Sequence, residues 1–406
     1  MINALIQTAY PQALAKLIHS TRDIHYAEEF LQMAVEQALI DWPDEQPNNP
    51  VAWLVRVAQN RFIDFYRRQK KQISLESLAE VEVQPDLSEQ ALLLSYNDDL
   101  LRLIFTCCHP SLNQQTQIIL ALKHVLGLNV SQIANALLLN KKTAEQRLTR
   151  AKQKISANNI QYQIPAKENW PERLDGVLKT IYLLFNEGYF ATDDMQLIRQ
   201  DLCKEAIRLA RLLQSCIKGD PEVIGLLALL LQSDARSPAR VDNSNQMVLL
   251  ADQNRTLWKK TAIQEGNSLV EKALRLGKGT PYAIQAAIAS VHNSATDEAD
   301  TDWRQIYLLY TQLLQRDNNP VIQLNAAIAL AKSGEFDRAI DKILSLEAQL
   351  ASYRHYHTSL AGLYFEQQSW VVARQYYLLA ISKAQGKREK TFILQRISEC
   401  ELHIRG

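Results

Sequence analysis

Apolar residues in this chain return every three or four positions, as in Leu14, Leu17 and Ile18, and again in Phe30, Leu31, Ala34, Val35, Ala38 and Leu39. Such spacing lines one face of an α-helix, which turns about every 3.6 residues. Only 12 glycines and 12 prolines punctuate the 406 residues, a composition that favours helix and disfavours turn-rich β architecture. Hydrophobic residues make up 47% of the chain, enough to bury several cores, and domains of about 100–200 residues would divide it into two to four. The expected fold class is all-α. No apolar stretch approaches the roughly 18 residues of a membrane span, and the opening MINALIQTAYPQALAKL lacks the basic and apolar segments of a secretory signal. Five irregularly spaced cysteines argue against a disulfide framework. A cytoplasmic protein without membrane contact is expected.

Residues 1–71 read as one helical module. Trp42-Pro43 ends its second helix, because proline has no amide hydrogen and blocks continuation. Asn49-Pro50 starts the next, with asparagine as cap and proline at the first helical position. That helix should bury Leu54, Val57, Ala58, Phe62 and Phe65. Residues 72–95 have poor periodicity and contain Pro85, so they read as a flexible linker. A second module, 96–160, begins with an apolar face of Leu100, Leu103, Ile104 and Cys107, ended by His109-Pro110. A helix from about Gln114 to Leu126 stops at Gly127, and Asn129 with Gln132 resembles a capping box ahead of a short helix through Ile133, Ala134 and Leu137. After a tight turn at Leu138 to Asn140, a further helix faces Ala144, Leu148, Ala151 and Ile155 inward. This is a helix-turn-helix layout.

Net charge, +1 overall, becomes informative only when it is divided. Between Val51 and Leu75, six cations (Arg56, Arg61, Arg67, Arg68, Lys70, Lys71) face one acid, Asp64. Between Lys141 and Lys154, six more (Lys141, Lys142, Arg147, Arg150, Lys152, Lys154) face Glu145 alone. The intervening stretch from Glu76 to Asp99 carries seven acids and no Lys or Arg. Two basic blocks on an acidic tether suit two phosphate-binding surfaces.

From Pro165 onward the chain reads as further helices, 165–300, and then repeats, 301–406. Ala286-Ala287-Ile288-Ala289 recurs as Ala326-Ala327-Ile328-Ala329, each after a proline, Pro281 and Pro320. Gly334 to Ile340 resembles the second half of a tetratricopeptide repeat, and Leu360, Tyr364, Ala373, Tyr377 and Ala380 fit its small and aromatic positions. Ala339 and Ala373 lie 34 residues apart, the period of that repeat. Stacked helix pairs of this kind present a surface suited to protein contact.

The stretches TRDIHYAEEFLQMA, NNPVAWLVRVAQNRFID, DDLLRLIFTCCHPSL, the helix-turn-helix with QRLTRAK, DGVLKTIYLLFNEGY, DLCKEAIRLARLL, GLLALLLQSDARSPAR, LLADQNRTLW and DTDWRQIYLLY resemble, in this order, a bacterial RNA polymerase sigma factor of the extracytoplasmic-function type. More narrowly, the chain resembles the subgroup with a long tetratricopeptide-like C-terminal extension. The resemblance implies that the first module is sigma domain 2, which holds the polymerase clamp and captures the −10 promoter element as single strand. It implies that the second is sigma domain 4, which reads the −35 element in the major groove and meets the polymerase flap. Strand capture needs cations and planar groups. Arg56, Asn60, Arg61, Arg67 and Arg68 are its expected residues, with Trp53, Phe65 and Tyr66 as nearby aromatics. Duplex reading needs side chains near the start of the recognition helix, with cations to fix register. Lys141, Lys142, Thr143, Gln146, Arg147 and Arg150 stand there. Core-polymerase contact falls to Glu28, Glu29 and Gln32. The chain departs from the family pattern at Met33, where a second acid is usual, at Val35, where an aromatic is usual, and at Leu138, where many such motifs place glycine. The resemblance further implies control in cis by the extension, through a protein partner or an intramolecular contact, without a separate anti-sigma protein.

The rival reading is an enzyme or ligand-binding protein with a polar pocket in the middle domain, lined by Asn186, Glu187, Asp234, Arg236, Arg240, Asp252, Arg255 and His292. No glycine-rich phosphate loop, no HExxH and no spaced Cys/His set supports it. The consecutive Cys107, Cys108 and His109 point in different directions, so one ion cannot be held by all three. No enzyme activity, cofactor or metal is expected.

Overall fold

The computed structural model describes residues 2–21, 24–43, 46–70, 100–137, 139–157, 165, 167–191, 198–242, 248–277, 279–384 and 387–405. The expected linker at 72–95 and Leu138 of the expected turn lie outside them, as do the side chains of Arg68, Lys152 and Ile155. The chain divides into two compact units, Met1–Glu187 and Gly188–Gly406.

The first unit opens with three helices, α1 (Ile2–Thr21), α2 (Ile24–Asp41) and α3 (Pro50–Lys70). Leu14, Leu17 and Ile18 of α1, Leu31, Ala34 and Ala38 of α2, and Leu54 and Ala58 of α3 are buried. The Asn49 side chain accepts from the Ala52 amide at 3.0 Å, capping α3 in front of Pro50. The expected buried stripe of α3 is only half buried toward its C-terminal end. Val57, Phe62 and Phe65 are intermediate, and the two phenylalanines pack sideways into an aromatic cluster with Tyr26 and Phe30 at centroid distances of 5.5–6.3 Å.

The second module follows with α4 (described over 100–107), α5 (Gln114–Leu120), α6 (Val130–Ala136) and α7 (Lys141–Ala157). Helix α5 continues into a π-helical turn, Ala121–Val125, closed by the Leu126 amide on the Ala121 carbonyl at 3.1 Å. Gly127, at φ +67°, then takes the left-handed conformation that releases the chain from the helix. Helix α8 (Leu174–Tyr189) begins on this same module: Trp170 stacks on Phe105 at 4.4 Å, and Arg173 donates to the Phe105 carbonyl at 3.1 Å.

The second unit starts with α9 (Gln200–Cys216) and continues in antiparallel pairs. These are α10 (Pro221–Ala235) with α11 (Lys260–Gly277), α12 (Pro281–Ser294) with α13 (Trp303–Leu314), α14 (Pro320–Lys332) with α15 (Phe336–Leu344), and, after the short α16 (Glu347–Leu350), α17 (Arg354–Glu366) with α18 (Trp370–Lys383). Helix α19 (Lys387–Arg405) packs on α18. Three first helices begin with proline at the first helical position, two of them after caps whose side chains accept backbone amides, Asp220 and Asn319. Small residues permit the stacking. A Cβ on Gly225 would stand 2.6 Å from the Ala283 nitrogen, and Ala286, Ala327, Ala361 and Ala373 are buried. The turns inside the last two pairs use Gly334 at φ +104° and, at the matching place, Gln368 at φ +61°.

Candidate nucleic-acid interface

Helix α6 is set by its capping box: the Asn129 side chain accepts from the Gln132 amide at 3.0 Å, and the Gln132 side chain accepts from the Asn129 amide at 2.8 Å. Asn140 caps α7 from one side, accepting from the Thr143 amide at 2.8 Å. Ala144, Leu148 and Ala151 are buried, so the opposite face of α7 is left to solvent. Lys141, Lys142, Gln146 and Arg150 are exposed there, while Thr143 and Arg147 are half-buried. Arg147 is tied down: its Nη1 donates to Gln115 Oε1 of α5 at 2.6 Å, which fixes the recognition helix on the helix behind it. Exposed cations flanking an exposed amide near a helix start suit a major groove, where phosphates position and base edges specify.

On α3, Arg56, Asn60, Tyr66 and Arg67 are exposed. Arg61 is half-buried and donates to Gln37 Oε1 of α2 at 3.1 Å. Trp53 meets Trp42 edge to face at 5.5 Å, and Phe65 lies in the aromatic cluster, so both serve packing. Tyr66 is 46% exposed, with its ring 6.0 Å from that of Phe62.

The residues expected at the polymerase separate. Glu29 and Gln32 are exposed on α2. Glu28 turns to the second module, where its Oε1 lies 2.5 Å from Nδ1 of His124 in the π turn. His124 is 1% exposed, and its Nε2 has no hydrogen-bond partner. Tyr10 beside them is pushed up to about 12 by burial and by the Glu28 charge. Gly127 sits against Pro11, where an added Cβ would lie 3.1 Å from the ring. Sequence reading missed this contact, as it missed Gln37 and Gln115: none of the three carries a local pattern.

Cys107 and Cys108 are buried, and desolvation raises the first thiol far above its usual range and the second to about 12, so neither is a ready nucleophile. Among the described residues no group of three His, Cys, Asp or Glu is placed to hold a metal ion, and no helix is long and apolar enough to cross a membrane. Of the residues considered for a polar pocket, Arg236, Arg255 and His292 come together in the second unit, while Asp234 pairs with Lys259 at 2.7 Å. Arg240 instead stacks over Tyr189 and Phe190 at 3.9 and 4.1 Å, and Asp252 is exposed.

The family profile of sigma-70 region 2 matches residues 5–72, and that of sigma-70 region 4 matches residues 102–155, the two modules just described. The chain belongs to the sigma-70 family. It is a factor of the extracytoplasmic-function type with a helical, tetratricopeptide-like C-terminal extension, and it serves promoter-specific transcription initiation with RNA polymerase core and promoter DNA as partners. The family is one of transcription factors, not of enzymes. A family of unknown function, DUF6596, matches residues 173–274 of this factor. Uncharacterized protein R00370 of Rhizobium meliloti (strain 1021) is 39% identical over 401 residues, 98% of this chain and 95% of that one. The ECF RNA polymerase sigma factor SigM of Bacillus subtilis (strain 168) is 24% identical over 141 residues, 35% of this chain and 84% of its own. The crystal structure of yeast Tom70 matches with a TM-score of 0.39 at 11% identity, over 98% of this chain and 83% of that one, a likeness too weak to bear on fold or function.

Proposed function

We propose that the factor reads the −35 duplex with the outward face of α7, using Lys141, Lys142, Thr143, Gln146 and Arg150 on DNA and Arg147 to hold the helix in place as well as to reach phosphate. In the same reading α3 engages the −10 strand through Arg56, Asn60, Arg61, Arg67 and Arg68, α2 meets the polymerase clamp through the exposed Glu29 and Gln32 while Glu28 ties α2 to the second module, and the second module meets the flap. The observation that carries it is the division of α7 into a buried alanine–leucine stripe and an exposed amide flanked by cations. The C-terminal unit acts in cis, as a control or assembly element for the two modules. Its helix pairs stack as repeats do, an architecture that grips protein.

Hydroxyl-radical footprinting of the reconstituted holoenzyme tests the α7 assignment. Gln146→Ala with Arg150→Ala should erase protection upstream while core binding persists, each base-reading contact being worth about 1–3 kcal/mol. Upstream protection unchanged in the double variant would remove α7 from the groove.

A further inference from the structure

A knot of polar side chains lies where α10 ends, within the second unit. Residues Ser237–Ala239 form a 3-10 turn after α10, and a second such turn, Arg255–Leu257, packs against it. Arg255 is fixed in place. Its Nη1 donates to the carbonyls of His292 at 2.9 Å and Ala295 at 2.7 Å, at the end of α12, and its guanidinium carbon lies 4.7 Å over the Trp258 ring. The geometry points to a binding site for a small soluble oxyanion, a carboxylate or phosphate that also carries a hydroxyl or amino group, held by Arg236, Arg255, Ser237 and Trp258.

Three donors at this place are buried with nothing to donate to: Arg236 Nε, Ser237 Oγ and Trp258 Nε1. Ser237 is 3% and Trp258 4% exposed, so bulk water does not serve them. The acids nearby are engaged elsewhere. Asp234 Oδ2 holds Lys259 at 2.7 Å, Glu298 holds Lys332 at 3.0 Å, Asp300 accepts from the Thr296 hydroxyl, and Asp297 accepts from the Asp300 amide at 3.0 Å. Among the described residues no carboxylate forms an ion pair with Arg236 or Arg255; Asp297, Glu298 and Asp300 act on Arg255 through space, against burial and the Arg236 charge, which together lower it. His292, edge-on to Trp303 at 5.1 Å, is pushed down to about 4, by burial first and then by Arg236 and Arg255. It therefore stands neutral beside two cations. A fork of guanidinium hydrogens that no protein acid fills is what carboxylates and phosphates fit.

Acceptors on the segments that adjoin the knot bear on the rest of the ligand. Gln253 Oε1, two residues before the second 3-10 turn, and Asn293 Oδ1, next to His292, are buried without donors. Asn293 is held by its amide nitrogen on the Gln232 carbonyl at 2.9 Å and on Gln232 Oε1 at 2.6 Å, which aims its oxygen away from that bond. These acceptors call for a hydroxyl or amino group next to the anion. No DNA or polymerase contact is assigned to any of these residues, so the site stands apart from promoter recognition.

The test is thermal unfolding of the full chain in inorganic phosphate, in citrate, and in chloride at matched ionic strength. Phosphate or citrate should raise the unfolding temperature above the chloride control, and the larger shift identifies which oxyanion the site prefers. Arg236→Gln should fold with an unfolding temperature at or above that of the parent in chloride, since it removes an unpaired cation, and it should lose the anion-specific shift. Arg240→Gln, whose parent side chain stacks outside the knot, should keep it. No anion-specific shift in the parent chain, an equal shift in Arg236→Gln, or an Arg236→Gln chain that unfolds earlier or does not fold would overturn the proposal. The last of these results would make Arg236 a structural side chain.

Discussion

Glu28 stands on a face of α2 expected to meet polymerase, yet its carboxylate is spent on a histidine of the second module. His124 is buried, and only Nδ1 has a partner. Removing that partner leaves the whole ring unsatisfied, which costs about 1–3 kcal/mol. Glu28→Ala should therefore lower the free energy of the first unit's unfolding in urea by about that amount, and an unchanged midpoint would show that the pair contributes nothing. The acid was legible in the sequence as a charge on an amphipathic helix. Its partner was not, because 96 residues separate them and nothing local marks His124. Arg61 and Arg147 teach the same lesson. Both read as free cations for DNA, and each is held by a glutamine of another helix. A sequence shows which residues are charged and which face they share, but the pairing of distant side chains is decided only when helices pack.

At the scale of elements, the helix-turn-helix could be read almost residue by residue, because its signals are local: the box of Asn129 and Gln132, the small Ala134, and the inward Ala144, Leu148 and Ala151. The π turn at Ala121–Val125 was invisible, since one extra residue in a turn leaves the apolar pattern of a short helix intact. In the last repeat Ala373 is fully buried where α17 and α18 meet, and the sequence placed it by period alone. Arginine there would bury an unpaired charge, at about 3–5 kcal/mol, and melt the terminal pair. Ala373→Arg should then raise amide exchange across 354–383 while Met1–Glu187 keeps its protection; unaltered exchange would show that position 373 tolerates charge. Transcription by this variant, by the full chain and by a chain ended after Glu187 should differ if the extension works in cis. Equal activity from all three would leave it without that role.

Over the whole molecule, the all-α class followed from periodicity, whereas the two compact units, Met1–Glu187 and Gly188–Gly406, are set by packing. Trp170, Arg173 and Gly176 pack on Phe105, Cys108 and Gln117 of the second module, which places the start of α8 in the first unit. These are contacts between residues about 60 positions apart, and no local propensity encodes them. The sequence reading of a sigma factor rested instead on segments spread along the chain, and the profiles of regions 2 and 4 cover its two basic blocks. The most direct test of that identity is to sequence the 5′ ends of transcripts made on genomic fragments by core polymerase with and without the purified factor. The factor should add a discrete set of start sites that share one pair of upstream elements. Identical 5′ ends in the two reactions would contradict promoter-specific initiation.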